Sequence, residues 1–164
     1  GYADFLRQEI FRPAGMTRTG LVQAAELPGD RAHRYTRYPT LRSAWTPGPR
    51  VEFPPELDLA PGPHGGAYST AEDLVRFAAA LTDGRLVSMA MLKRLTEPQS
   101  GTGGSLGFQI GGAGTAGYFG HGGGAPGMNS MLRIFPALGY TVVVLSNYDS
   151  GANLAGAYVT EVLR

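Results

Sequence analysis

The apolar positions of the chain follow two periods, and the switch between them marks out its elements. Tyr140 to Leu145 is a nearly unbroken apolar, β-branched run, and within it Val142-Val143-Val144-Leu145 shows no polar alternation, which predicts a strand buried on both faces. Asn129 to Phe135 is rich in strand formers. Pro136-Ala137-Leu138-Gly139 joins the two runs and predicts a β-hairpin, with Pro pre-setting one turn dihedral and Gly free to take a positive φ. Leu106, Phe108 and Ile110 alternate as a further strand, and Tyr118 to His121 lead into the hairpin. The helical period governs the rest. Tyr2, Phe5, Leu6 and Ile10 share one helix face, with Asp4 in the first turn and Pro13 just past the end. Pro13 to Gly20 then reads as a tight turn. Ser69-Thr70-Ala71-Glu72 reads as a capping box ahead of the stripe Leu74, Phe77, Ala78 and Leu81, which Gly84 is placed to stop. A short helix from Ser88 buries Met91, Leu92 and Leu95 and ends before Pro98, and Gly101 to Gly104 is a flexible turn. After a turn at Asp149-Ser150-Gly151, a closing helix runs from Ala152 to Leu163 with Leu154, Ala155, Tyr158 and Val162 as its buried stripe.

Between these segments, residues 21–66 show neither period. Eight of the twelve prolines fall there, and Pro47-Gly48, Pro54-Pro55 and Pro61-Gly62 mark turns. Trp45, Tyr35 and Tyr38 are costly to leave in a bare linker, so the segment reads as a packed loop system. At 164 residues the chain is one domain's worth. Helices, then antiparallel strands, then a closing helix predict an α+β fold, an antiparallel β-sheet packed by helices.

Composition narrows the function classes. Formal net charge is +1, so no global field points to nucleic acid or an anionic membrane. Arg31, Arg34, Arg37, Arg42 and Arg50 are interleaved with tyrosines, but no nucleic-acid-binding motif accompanies them and they read as a solvated face. Charged residues make up 16%, against about 25% in soluble domains, and the 25 glycines are roughly twice the usual share. Such a surface is expected to be partly covered. The absence of cysteine excludes disulfides and thiolate metal sites. No transmembrane run or signal peptide is visible, and a targeting segment is expected to lie outside this sequence.

The candidate chemistry gathers at His121-Gly122-Gly123-Gly124, where a titratable side chain precedes bare backbone that a substrate can approach closely. His33, His64 and His121 lack ligand spacing, so neither a metal nor a cofactor is expected. Gly103-Gly104-Ser105-Leu106-Gly107 matches a nucleophile elbow, and His121 to Gly124 the oxyanion motif of lipase-type hydrolases. The motifs stand in the wrong order, however, and Ser105 lacks the strand before it and the helix after it. A lysine-activated serine needs the pair three residues apart on a helix. The single lysine, Lys93, has Ala90 at that position.

Several blocks together resemble the serine β-lactamase-related family, which spans class C β-lactamases, D-alanyl-D-alanine carboxypeptidases and related esterases. They are Tyr2 to Leu6 with Ile10 to Met16, Gly65 to Leu74, Leu106-Gly107-Phe108, Gly120 to Gly127, and Val142 to Asn147. The resemblance implies the C-terminal portion of a β-lactamase/transpeptidase-like fold over 1–164, with 21–66 as part of a cleft wall. The family's Ser-x-x-Lys and Tyr-x-Asn motifs do not occur here. Its third motif falls on His121-Gly122-Gly123, and Gly124 would supply the strand N–H that forms half of an oxyanion hole. The parent is then an acyl-serine hydrolase of a β-lactam, peptide or ester, and this chain alone is inactive. The alternative is a non-catalytic binding or partner domain reusing the half-fold. The expected partners are that substrate and either the N-terminal part of the fold or a second copy, joined through the Tyr140–Leu145 edge. The family resemblance implies a periplasmic or secreted location.

Overall fold

The computed structural model describes residues 1–23, 26–38, 47–54, 60–99 and 105–163. At the N-terminus α1 (Tyr2–Leu6) runs into a π-helical stretch, Arg7–Phe11, and then α2 (Arg12–Ala14). Pro13 therefore lies inside the helical run and not beyond it. Its ring would strike the carbonyl four residues back, that of Glu9, and Glu9 sits in the wider π stretch. Gly15, at φ 72°, closes the run in the left-handed region.

The loop-rich segment holds β1 (Tyr35–Thr36) and β2 (Val51–Glu52), which pair antiparallel. Packing here is real: Phe53 is buried, Arg34 lies over its ring at 4.8 Å and Arg50 over Tyr148 at 4.4 Å. Arg37 Nε donates to Gly48 O at 2.9 Å. These arginines stack and bond within the loop system. Trp45 and Arg42 lie outside the described residues.

Two helices follow, α3 (Ala71–Thr82) and α4 (Met89–Thr96). The cap of α3 sits one residue later than the sequence suggests. Thr70 Oγ1 accepts from Asp73 N at 3.2 Å, while Ser69 Oγ pairs with Thr19 Oγ1 at 2.8 Å. Ser88 caps α4 as predicted, accepting from Met91 N at 3.2 Å. Leu92 is buried and Leu95 half-buried, but Met91 is exposed.

The sheet is antiparallel, in the order β3 (Gln109–Gly111), β4 (Tyr118–Ala125), β5 (Met128–Phe135), β6 (Tyr140–Ser146). The β5–β6 hairpin forms as predicted, with Gly139 at φ 68°. Leu106 falls outside β3. Ser105 N and Ser105 Oγ both donate to Phe108 O, at 2.9 Å each, and this turn leaves Leu106 exposed. The Gly101 to Gly104 turn lies outside the described residues. One face of the sheet gives Phe119, Leu132 and Ile134 to a core with Ala78, Leu81 and Leu92 from α3 and α4.

The other face takes α5 (Gly151–Val162), and here the sequence reading fails. Ala152, Gly156 and Thr160 are buried, whereas Leu154, Tyr158 and Val162 are 73%, 70% and 68% exposed. A Cβ on Gly156 would overlap the Met131 side chain. The small-residue face lets α5 sit close to the sheet, and the large apolar side chains are left on the outside. The expectation that the Val142–Leu145 run is buried on both faces fails too. Val142, Val143 and Val144 are only half-buried and Leu145 is exposed. α3 and α5 contact β6 from either side, but among the described residues its second edge is unpaired. Beside that edge, a groove of about 510 Å³ opens between α3 and β6, lined by Ala71, Glu72, Val75, Arg76, Thr141 and Val143.

Candidate active site

The glycine motif lies on a strand. His121, Gly122, Gly123 and Gly124 lie on β4 opposite Leu132, Met131, Ser130 and Asn129 of β5. On the other side β3 reaches only as far as Gln109 opposite Gly120. From His121 onward, β4 therefore presents an unpaired edge among the described residues. Bare backbone is what this pairing needs. A Cβ at Gly120 would overlap the Leu132 carbonyl, one at Gly122 would lie 3.3 Å from Ser130 O, and one at Gly123 3.1 Å from Ser130 Oγ.

The direction of the backbone groups follows from one hydrogen bond. Gly123 O accepts from Asn129 Nδ2 at 3.0 Å, so this carbonyl points toward β5. The peptide bonds are trans, and in a planar trans peptide the N–H points opposite to the C=O. The Gly124 N–H, in the same unit, is thus aimed at the unpaired edge. His121 sits at the same edge. Its Nδ1 is 2.5 Å from Gly122 O, and a carbonyl can only accept, so Nδ1 carries the proton. Nε2 remains available to an incoming group. The arrangement offers a carbonyl-bearing substrate one backbone donor and one imidazole on an open strand.

The far end of this edge is tied to the loop system by Asp149. Its Oδ1 accepts from Thr36 Oγ1 at 2.6 Å and from Gly127 N at 2.8 Å, and its Oδ2 from Arg37 N at 2.9 Å. Burial pushes this carboxyl up, but those hydrogen bonds, with the Arg50 charge nearby, outweigh it and hold the group below its ordinary value. Gly127 turns the chain at φ 73°, and a Cβ there would lie 2.8 Å from Arg34 Cβ. Residues 34–37 are thereby pressed against the β4–β5 turn.

His33 and His64 do not join His121 in a metal cluster. His33 Nδ1 pairs with Glu52 Oε1 at 2.6 Å on the surface, and His64 is exposed. No three His, Asp or Glu side chains converge for a metal among the described residues. Sequence reasoning missed Asn129 and Asp149. Asn is disfavoured in strands, so Asn129 at the head of a buried strand was a usable signal. Asp149 read only as part of a turn.

The Beta-lactamase family model matches residues 1–162. The putative penicillin-binding protein PbpX of Bacillus subtilis (strain 168) is 30% identical over 154 residues, covering 93% of this chain and 36% of that protein. The structure of a penicillin-binding protein from Bacillus halodurans superposes with a TM-score of 0.80 at 24% identity, over 99% of this chain and 49% of that one. A D-amino acid amidase from Ochrobactrum anthropi SV3, complexed with L-phenylalanine, superposes at 0.76 and 23% identity, over 99% of this chain and 52% of that one. At such identities the superpositions show the fold. The chain spans about half the length of these two solved structures and 36% of the curated relative. With the family's blocks in order and its fold in place, the chain belongs to the Beta-lactamase family, the serine β-lactamase-related group whose fold penicillin-binding proteins and D-amino acid amidases share.

Proposed function

We propose that residues 1–164 are the C-terminal portion of a serine hydrolase of the β-lactamase/penicillin-binding type, acting on a β-lactam, peptide or ester through an acyl-serine. His121-Gly122-Gly123 is its third motif and Gly124 half of its oxyanion hole. The observation that carries this reading is the Gly124 N–H turned onto a strand edge that is unpaired among the described residues, beside His121. When a serine attacks the scissile carbonyl, negative charge develops on the carbonyl oxygen. A preorganised N–H at that position is worth about 2.7–4 kcal/mol in comparable sites. The serine and the lysine that activates it come from the complementary part of the fold, and residues 21–66 form part of the cleft wall. In the longer protein, His121→Ala is expected to lower kcat/KM at least tenfold while shifting the unfolding midpoint little. His33→Ala and His64→Ala are expected to change neither. Equal losses from all three substitutions, measured on an activated ester, would remove His121 from the site.

The same reading names a partner for the uncovered surfaces. The edge of β6 that is unpaired among the described residues, the groove beside α3 on one side of the sheet and the outward stripe of α5 on the other are the surfaces that take the N-terminal part of the fold. Burying each side chain of the size of Leu154 or Val162 is worth about 1.5–3 kcal/mol. No Lys, Pro or inward charge protects Thr141 to Leu145 from pairing. The isolated chain is therefore expected to self-associate on a sizing column until the complementary segment is supplied. A monomer at all concentrations, with fast-exchanging Val142–Leu145 amides and no uptake of that segment, would show that this face has no partner. A penicillin-binding protein homologue from Pyrococcus abyssi that shares the fold (TM-score 0.70) is octameric.

A further inference from the structure

We infer that Asn129 is a positioning residue for the oxyanion donor, a side chain that holds the Gly123–Gly124 peptide in its productive orientation and ties that orientation to the start of α5. The inference rests on the reading of Gly124 given above. It starts from a side chain that is 5% exposed and has both ends committed. Asn129 Oδ1 accepts from Asn153 N at 2.8 Å, and Asn129 Nδ2 donates to Gly123 O at 3.0 Å. One partner is a backbone donor and the other a backbone acceptor, so the amide can be placed only one way round. Asn153 N is one of the N–H groups that the first turn of a helix leaves unpaired. Ser150, the N-cap residue of α5, makes no side-chain capping bond. Asn129, 24 residues away, supplies that cap from the neighbouring strand.

The other end of the amide acts on the site. Gly122, Gly123 and Gly124 have no Cβ to resist rotation, so the orientation of this peptide unit depends on its pairing with β5 and on the Asn129 bond. If the Gly123–Gly124 unit flipped, the N–H would face β5 and the carbonyl would face the substrate, putting an acceptor where the developing oxyanion needs a donor. The Asn129 Nδ2–H to Gly123 O bond opposes that flip directly. α5 packs on the sheet through Gly156 and is bonded to it by Arg133 Nη1 to Gly156 O at 3.0 Å. The clamp is thereby anchored to a close helix–sheet contact.

Two substitutions separate the cap from the clamp. Asn129→Asp keeps an acceptor for Asn153 N but sets a carboxylate oxygen against Gly123 O, while Asn129→Ala loses both bonds. In the 164-residue chain both substitutions are expected to lower the melting temperature, Asn129→Asp because its carboxylate is buried against a carbonyl oxygen and Asn129→Ala because both bonds are lost. Both are expected to shift or broaden the Gly123 carbonyl-carbon and Gly124 amide NMR resonances. Unmoved Gly123 and Gly124 resonances in Asn129→Ala, which has no donor for Gly123 O, would overturn the clamp whatever the enzyme does. In the longer protein with an activated ester, Asn129→Asp is expected to lower kcat by about a hundredfold with KM within twofold. Moved resonances with unchanged kcat would overturn its role in positioning the donor. A wild-type protein without turnover would overturn the hydrolase reading, and the resonances would still decide whether the clamp exists.

Discussion

The 164-residue chain on its own is expected to form no acyl adduct with a fluorescent penicillin or an activated ester. Losing the nucleophile or its base costs a serine hydrolase about six decades in kcat, and what remains is binding and the oxyanion donor. This sequence has no Ser-x-x-Lys, and its single lysine, Lys93, is exposed on α4. Ser69 Oγ is bonded to Thr19 Oγ1 at 2.8 Å, and Ser105 Oγ to Phe108 O at 2.9 Å, so neither faces an activating base. Ser130 is the hydroxyl that lies against the glycine strand. A stoichiometric adduct that survives denaturation and maps to Ser130, or to any other serine here, would show that the chain carries its own nucleophile. The measurement is intact-mass spectrometry after overnight incubation, followed by peptide mapping.

Asp73→Ala is expected to destabilise the chain by about 2–3 kcal/mol, because it leaves the Arg18 N–H and the Thr19 hydroxyl without their acceptor, while its charged partner Arg76 is itself half exposed. That is a large part of a domain's margin of about 5–15 kcal/mol. Asp73 is fully buried, and its carboxylate accepts from Arg18 N at 2.7 Å, Thr19 Oγ1 at 2.8 Å and Arg76 Nη1 at 2.6 Å. It ties the turn after α2 to the first turn of α3. Burial raises its pKa, but the bonds from Thr19, Arg18 and Arg76 outweigh that and leave it below the ordinary value. A depressed folded-state pKa stabilises the protein above the unfolded value of about 3.9, and the contribution is lost as pH falls through the lower folded value. Wild-type stability should therefore decline below about pH 4, and more shallowly in Asp73→Asn, where Asp149, Asp4 and Asp83 are still held below their ordinary values. Urea titrations at pH 7 and pH 3 check both statements. An Asp73→Ala midpoint equal to wild type at pH 7 would mean that the turn and α3 stand independently.

Much of the fold was legible because it is written in short-range pattern. The Val-rich run and the Pro-Ala-Leu-Gly turn specify the hairpin, Ser88 specifies the start of α4, and the stripe Leu74, Phe77, Ala78, Leu81 specifies the inner face of α3. Each signal is complete within a few residues, where backbone preference and side-chain period are set. The sequence blocks also placed the chain in its family and pointed to His121 to Gly124. It did not show that these glycines form a strand, because glycine has low strand propensity and only pairing with β5 overrides it. Nor could periodicity choose the buried face of α5. Large apolar residues favour burial in isolation, but α5 approaches Met131 closely at Gly156 and buries Ala152, Gly156 and Thr160. Three further decisions belong to the tertiary structure alone. Asn129 meets Asn153 across 24 residues, Asp73 meets Arg18 across 55, and Asp149 meets Thr36 across 113. Hydrogen bonds between residues so far apart leave no periodic trace in the chain. They come into being only when the sheet has brought its edges, helices and loops together.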